Sequence, residues 1–186
     1  MKTAAVFIAS LVVIVGAIAL WGTGSLTANR PVAPRATLKT EKPVFKGGMK
    51  SITLFFVGRG DYSFREERRE IERGATTTED AKRTFAELAR GPNSADLAPT
   101  VPREATLYNL FIDSSGTAYV NFNQGLRDGL SSGAQEELYT VFSIVNTLAS
   151  NFVQITRVQI LVEGAEIPTL AGHIDTRMAL QPQYVF

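Results

Sequence analysis

Apolar residues recur along this chain with two different spacings. In short segments they alternate with polar residues, and in longer segments they stand three or four positions apart. Alternation places the apolar side chains on one face of a strand, whereas the wider spacing places them on one face of a helix. The pattern therefore predicts that strands and helices occur together in the folded part of the chain.

Alternation predicts four strands, at residues 51–57, 106–113, 117–122 and 158–162. The second and third are close enough in sequence to form a hairpin, in which Gly116 can take the positive φ of a tight turn. Counting by two, Tyr108, Leu110 and Ile112 share one face of the second strand. These segments predict a sheet that is mainly antiparallel.

Residues 65–73 are almost all charged, with acidic and basic side chains in balance. Such a segment is typical of an exposed helix whose charges pair along its surface. The residues alone therefore favour a helix here, and a strand is the alternative.

The wider spacing predicts two helices, of which the first begins after Thr76. A threonine can accept the free amide groups of a first turn, and the carboxylates of Glu79 and Asp80 suit the positive end of the helix dipole. Gly91 allows a left-handed cap and Pro92 prevents continuation, so the helix ends there.

The second helix begins near Ser132, which forms a predicted capping box with Gln135, and its apolar spacing continues to Phe152. The order of elements predicts an α+β fold. We expect a two-layer sandwich, in which a mainly antiparallel sheet of four to five strands carries two helices on one face.

The N-terminal segment carries signals of membrane attachment. Residues 4–21 form an uncharged run that is just long enough to span a bilayer as a helix, and Trp21 suits the membrane interface. We expect an uncleaved anchor with residues 1–3 in the cytoplasm; a cleaved signal peptide and a buried soluble helix are the alternatives. Residues 22–49 are rich in Gly, Pro and Thr and predict an extended linker.

Charge and cysteine content exclude several classes of function. The 186-residue chain has 19 Lys and Arg against 18 Asp and Glu, so its formal net charge is +1. Nucleic acid is not an expected partner, because binding it requires several phosphates to be neutralised from one basic face. One histidine and no cysteine cannot form a zinc site, and no calcium-loop motif occurs. We expect no metal and no cofactor.

His173 and Asp175 come closest to a catalytic pair. Two positions apart, they would share one side of a strand, where a carboxylate could orient the histidine as a general base. However, no Gly-x-Ser-x-Gly motif and no cysteine supplies a nucleophile. A structural hydrogen bond is the commoner role for such a pair, so we predict that the chain is not an enzyme.

Polar and aromatic side chains that could contact a partner form two candidate sets. Tyr119, Asn121 and Asn123 could offer an aromatic face and amides to a glycan strand. Gln135, Asn146 and Gln159 could instead lie at a protein interface. The apolar tail, residues 179–186, could add an edge strand to its own sheet or to that of a partner.

The order and spacing of several segments resemble the GerMN domain, a module of spore-germination, sporulation and other bacterial envelope proteins. The segments are Gly116 to Phe122, Ser143-Ile144-Val145-Asn146-Thr147-Leu148, Val158-Gln159-Ile160-Leu161-Val162 and Gly172-His173-Ile174-Asp175. The resemblance covers about residues 50–178 as a single unit. It implies a second strand at residues 65–73, and a structural rather than chemical role for the Gly-His-x-Asp segment.

The resemblance also implies a place in the cell. The charges flanking residues 4–21 do not decide the orientation of the anchor, but GerMN domains lie on the extracytoplasmic side of the membrane. We therefore expect a single-pass protein of the cytoplasmic membrane that docks on other envelope proteins as a non-catalytic scaffold. Homo-oligomeric contacts are conceivable for this family. Binding of peptidoglycan by a glycan-binding module is the alternative function.

Overall fold

The computed structural model describes residues 47–131 and 133–185. The predicted cytoplasmic residues 1–3, the anchor at 4–21 and nearly all of the linker at 22–49 lie outside the described residues. The elements are β1 (Met49–Gly58), β2 (Phe64–Glu72), α1 (Thr77–Arg90), β3 (Leu97–Ala98), β4 (Leu107–Ile112), β5 (Thr117–Phe122), α2 (Gly125–Asp128), α3 (Ala134–Asn151), β6 (Arg157–Val162) and β7 (Ala165–Glu166). Within the described residues, no helix has both the length and the apolar character needed to cross a membrane.

The strands form two sheets, in the orders β2-β1-β3 and β4-β5-β6-β7. The predicted α+β sandwich is confirmed, but the strands are divided between two sheets rather than joined in one. In the second sheet β5 and β6 are parallel, whereas the other neighbours are antiparallel. The parallel pair is possible because α2 and α3 connect β5 to β6 and so return the chain to the same end of the sheet.

The core is built from the alternating face of β1 and the apolar faces of the helices. Ile52, Leu54 and Phe56 are buried, as the alternation in β1 predicts. Helix α1 packs against β4 and β1, and its Phe85 ring lies 4.8 Å from the ring of Phe122 in β5. The packing of α1 thus connects the two sheets through aromatic contacts.

The charged segment 65–73 belongs to a strand, as the resemblance implies. β2 pairs with β1 along its whole length, from Met49 opposite Glu72 to Val57 opposite Phe64. Arg69 and Ile71 point inward and are buried, while Arg68 and Glu70 are exposed. The helix that charge balance alone indicates is therefore wrong. Buried and exposed residues do alternate here, but because the buried Arg69 is itself charged, the sequence does not show an apolar face.

Arg69 is buried because its guanidinium group is fully engaged. Its Nη1 donates to the carbonyl and the carboxylate of Glu87, both at 2.9 Å, and its Nη2 donates to the carbonyl of Gly91 at 2.6 Å. A second carboxylate, that of Glu67, accepts from Nε at 2.8 Å. These bonds attach β2 to the last turn of α1, where free carbonyl groups favour a cation.

The hairpin of β4 and β5 is confirmed, with Gly116 at a φ of 82°. Its register shifts between Leu107 and Asn109, which leaves Tyr108 as an extra residue. Leu107 and Leu110 are buried, but Tyr108 is exposed. The expectation that Tyr108 shares a face with Leu110 is therefore wrong, because a bulge interrupts the period of two.

The start of α1 is confirmed and that of α3 is corrected. The Thr76 hydroxyl accepts from the Glu79 amide at 3.1 Å, and Gly91 ends α1 with a φ of 88°. Helix α3 has Gly133 at its N-cap, with no side-chain cap. The Gln135 side chain donates to the Tyr139 hydroxyl, and Ser132, the other member of the predicted capping box, lies outside the described residues.

Helix α3 occupies the place of a missing strand beside β1. Backbone N–H and C=O groups of Thr53 bond to the Asn151 amide at 2.9 and 2.6 Å. Two residues on, the Phe55 N–H donates to the Thr147 hydroxyl at 3.1 Å, and the Phe55 carbonyl accepts from Ser143. The polar side chains therefore satisfy the buried edge of β1, which would otherwise carry costly unpaired groups.

The C-terminal tail pairs with its own domain. Leu180 forms a two-way backbone bridge with Val158 at 2.8 Å in each direction, at the end of β6 that β7 does not cover. Beyond it, the ring of Tyr184 lies 5.2 Å from that of Phe55. Of the two predicted roles for the tail, addition to its own sheet is the one observed.

Candidate functional site

The six predicted interaction residues do not form one surface. Asn146 is fully buried, and its amide bonds the backbone of Gln183 in both directions, at 2.7 and 2.8 Å. Gln159 is also buried and donates to the carbonyl of Thr176 at 2.7 Å. Their placement on an interface is therefore wrong, because both amides are used to hold the C-terminal segment against the domain.

Asn121 and Asn123 are engaged in the local structure at the end of β5. The Asn121 side-chain oxygen accepts from the Gly164 amide at 2.6 Å. Asn123 accepts from the Thr106 amide and donates to the Glu104 carbonyl, both at 2.8 Å. Their amide groups thus stabilise turns, which leaves few free polar atoms for a ligand.

Tyr119 lies on the open face of the second sheet, beside an aromatic residue that the sequence analysis did not select. Phe111 stands directly opposite it on β4, is 66% exposed, and has its ring centre 6.4 Å from that of Tyr119. Phe111 could have been identified from its position one residue after Leu110, because neighbouring residues of a strand point to opposite faces and Leu110 faces the core. The two rings form an exposed aromatic pair.

Gln135 lies in a groove at the carboxyl end of β1, which we call the docking groove. It has a volume of about 490 Å³ and is formed by the β1–β2 turn, the segment at 98–102 and the start of α3. Its lining includes the side chains of Tyr62, Pro99, Pro102, Leu130, Gln135 and Tyr139. A concave, largely apolar groove of this size is typical of a binding site.

Hydrogen bonds fix one wall of the docking groove. Gln135 donates to the Tyr139 hydroxyl at 2.8 Å, and that hydroxyl donates to the Tyr62 carbonyl at 2.9 Å. Tyr62 has a φ of 55°, a left-handed conformation that a non-glycine residue keeps only when its surroundings hold it. Its side chain is 61% exposed. The backbone of Tyr62 is therefore constrained, and its ring lies exposed at the groove rather than buried in the core.

The polar groups of the docking groove do not form a catalytic arrangement. Its charged side chains are Arg59 and Glu136, from opposite walls, and Arg59 donates Nε to the Leu97 carbonyl at 3.0 Å. The groove residues include no histidine and no nucleophile beside a base. The groove offers apolar surface and two charged side chains.

His173 and Asp175 do not pair with each other. Asp175 bonds Arg177 at 2.7 Å, and the hydrogen bonds from that guanidinium lower the pKa of the carboxyl to about 2. The His173 Nδ1 instead lies 3.2 Å from the Glu137 carboxylate. The suspected dyad is therefore absent. Among the described residues, no cluster of three or more His, Asp or Glu side chains could hold a metal ion.

Glu137 is a structural residue that the sequence analysis missed. It is fully buried and accepts the backbone N–H groups of Leu170, Ala171 and His173, at 2.8, 2.9 and 2.7 Å. Burial by itself raises the pKa of this carboxyl, but the backbone donors outweigh it and the pKa is lowered overall. The burial of Glu137 could have been predicted from its position four residues before Val141, which places both residues on the same side of α3.

Comparison with known proteins identifies a family whose model matches this chain. Residues 53–168 match the model of the Germane domain, described as sporulation and spore germination. Among curated proteins, no sequence matches the chain.

Three solved structures share the fold. A Clostridium perfringens protein, proposed to be a lipoprotein, is 23% identical, with a TM-score of 0.51 and coverage of 72% of this chain and 88% of that one. The first GerMN domain of the sporulation protein GerM from Bacillus subtilis is 16% identical, with a TM-score of 0.52 and coverage of 73% and 96%. The tandem GerMN domains of that protein are 17% identical, with a TM-score of 0.55 and coverage of 75% of this chain but only 46% of the tandem pair.

The match to the family model spans well over half of the chain, and the described fold agrees with that of single GerMN domains. This chain belongs to the Germane family of sporulation and spore germination domains, also known as GerMN domains.

Proposed function

We propose that this chain is a non-catalytic interaction module of a sporulation-related envelope assembly. In this proposal residues 4–21 fix the chain to the cytoplasmic membrane, and the domain docks on another envelope protein from the extracytoplasmic side. The observation that supports the docking role is the docking groove, whose apolar lining residues and constrained Tyr62 are suited to a protein segment.

A binding role is favoured over catalysis by the use of the polar side chains. Several polar side chains that could have taken part in a reaction already form hydrogen bonds inside the domain. They are Glu137, Asn146 and Gln159. His173 and Asp175 have separate partners. Exposed aromatic side chains such as Tyr62 and Phe111 remain available to a partner, and aromatic residues are enriched at the centre of protein interfaces.

Placement in the envelope is supported by the family and by one fold relative. The matched family is described by sporulation and spore germination. The Clostridium perfringens relative is proposed to be a lipoprotein, although this chain has no cysteine to carry a lipid. An apolar N-terminal helix would supply the attachment that lipidation supplies elsewhere.

Site-specific photo-crosslinking in intact cells tests the docking role. A photoreactive amino acid replaces Gln135 in the groove, and a matched control replaces Val153, which is 97% exposed outside it. We expect one recurrent envelope protein, identified by mass spectrometry, to be captured from position 135 and not from position 153. The same set of proteins from both positions would contradict docking through the groove.

The exposed aromatic pair, Phe111 and Tyr119, supports a second candidate function, binding of a peptidoglycan strand. Aromatic rings on an open sheet face offer an apolar surface to sugar rings, and the two residues are neighbours across β4 and β5. Co-sedimentation of the full-length protein with purified peptidoglycan tests it. Phe111→Ala should reduce the bound fraction, whereas Met178→Ala, which removes another exposed apolar side chain, should not. Equal binding by the two variants would exclude this site.

A further inference from the structure

Three arginines surround a second depression beside the docking groove, which we call the arginine pocket. Arg59, Arg90 and Arg103 line it, together with residues 91–95, Leu97 and Pro99, and its volume is about 320 Å³. The arginines come from three separate parts of the chain: the β1–β2 turn, the end of α1 and the segment after β3. No carboxylate is among the described residues that line it.

The positive charge of the arginine pocket is only partly compensated. Arg103 has no carboxylate within 4.0 Å among the described residues. The Arg59 side chain donates only to the Leu97 carbonyl, although it also lines a neighbouring depression that contains Asp61 and Asp96. Arg90 lies 2.8 Å from Glu87, but that carboxylate is shared with the buried Arg69 at 2.9 Å. The pocket therefore keeps a net positive charge, with guanidinium groups whose planar N–H donors suit carboxylates.

The arginine pocket borders the docking groove, since Arg59 and Pro99 line both of them. Glu136 lines the groove but not the pocket, so negative charge lies at one part of the combined surface and most of the positive charge at another.

We propose that the docking groove and the arginine pocket together bind one segment of the partner protein, apolar in the groove and acidic at the arginine pocket. This inference rests on the proposed docking function and names the chemistry of its partner. Glu136 repels an acidic group in the groove, which fixes the direction of the bound segment.

A protein segment fits these observations better than a phosphate polymer does. A polyanion requires a continuous basic track, but the groove leading from the pocket is apolar and carries Glu136. The formal charge of the whole chain is only +1, so no wide positive field exists beyond the three arginines. The combination of local positive charge and adjacent apolar surface selects a ligand that is both acidic and apolar.

Two synthetic peptides test the inference with the full-length protein in maltoside micelles. One is acetyl-Leu-Pro-Leu-Pro-Glu-Glu-Asp-amide, and the other replaces its three acids with Gln, Gln and Asn. Binding is followed by NMR shifts, including those of the arginine Nε–H groups. We expect the acidic peptide to bind about tenfold more tightly, since exposed ion pairs are each worth a fraction of a decade in affinity and three of them together give about one decade.

Two substitutions test whether the preference for the acidic peptide arises at the arginine pocket. Arg103→Gln, which removes the charge of a side chain that has no carboxylate within 4.0 Å among the described residues, should reduce the preference for the acidic peptide severalfold. Arg68→Gln, at an exposed position on β2 outside both cavities, should retain it. Raising the salt concentration should reduce the affinity of the acidic peptide and leave that of the neutral peptide nearly constant.

The outcomes separate this inference from the docking function on which it rests. If both peptides bind equally and Leu130→Asp abolishes their binding, the groove docks a protein but the acidic preference is wrong. If neither peptide binds and phosphatidylglycerol vesicles bind through Arg103, the pocket takes phosphate and the inference is overturned. Binding of neither probe also overturns it, whereas crosslinking from position 135 decides the docking function independently.

Discussion

The Glu137 carboxylate accepts the backbone N–H of His173 at 2.7 Å and lies 3.2 Å from Nδ1 of the same residue. A carboxylate on the first turns of α3 therefore holds the Gly-His-x-Asp segment, which lies more than thirty residues later in the chain. This contact gives the segment a structural role, since it organises the loop at 170–174 around a buried charge.

Replacement of Glu137 by Gln should destabilise the domain by about 3 kcal/mol. The carboxylate accepts several backbone N–H groups in a buried site, and a neutral amide presents only one acceptor oxygen to them. Urea denaturation of the full-length protein, followed by circular dichroism, measures the loss. Glu136→Gln is the matched control, and its effect should stay below about 0.5 kcal/mol because that side chain is more exposed.

The stability supplied by Glu137 should depend on pH with a defined sign. Its burial raises the pKa, but the backbone donors lower it overall below the ordinary value of 4.5. A lowered pKa means that the stabilisation is complete above the ordinary value and is lost as the pH falls through the lower value in the folded state. We therefore expect the difference in unfolding free energy between wild type and Glu137→Gln to be constant near neutral pH and to shrink below about pH 4.5.

Repeating the pH series in a His173→Asn background isolates the backbone contribution, because Asn keeps the main-chain N–H and removes the ring. A difference that grows as the pH falls would contradict the assignment of Glu137 as a buried carboxylate held by amide donors.

Thr147→Val should weaken the contact between α3 and the edge of β1. The substitution keeps the shape of the side chain but removes the acceptor of the Phe55 N–H, a buried donor. An unsatisfied buried amide costs about 1–3 kcal/mol. Hydrogen exchange at the Phe55 amide, measured by NMR, should become faster, and the unfolding free energy should fall by that amount. Thr53→Val, whose hydroxyl has no such role, should change neither quantity by much.

Arg69→Lys should destabilise the domain by about 2 kcal/mol even though the charge is kept. A lysine ammonium group cannot reach the Glu67 carboxylate, the Glu87 carbonyl and the Gly91 carbonyl at the same time, as the guanidinium does. Thermal unfolding monitored by circular dichroism measures the change. Arg68→Lys, on the exposed face of the same strand, should leave the midpoint unchanged, and equal effects of the two substitutions would refute a special role for Arg69.

The predictable part of the fold came from periodic apolar residues and from terminal signals. The alternation of Ile52, Leu54 and Phe56 identified β1, and the Thr76 cap and Gly91 identified the ends of α1. Segment 65–73 could not be identified as a strand in this way, because its buried Arg69 is a charged residue and does not extend an apolar alternation. Only its pairing with β1 and the bonds to α1 reveal why a charged residue points inward.

The candidate site was less predictable than the fold. Of the six polar residues proposed for contact, Gln135 lies in the docking groove and Tyr119 on the open sheet face, but Asn146 and Gln159 are buried. A polar side chain has the same identity in a sequence whether it faces solvent or bonds a distant carbonyl. The partner that decides between these roles, such as Gln183 for Asn146, is far away along the chain.

The sequence by itself determined the α+β class, the positions of the five longer strands when the family resemblance is included, and membership of the GerMN family. These depend on local spacing, which a linear pattern records. The tertiary structure alone decided the division into two sheets, the use of α3 as a substitute strand, the burial of Glu137 and the meeting of Arg59, Arg90 and Arg103. Each of these depends on groups brought together from distant segments, and their energies are set by burial and geometry that no local pattern encodes.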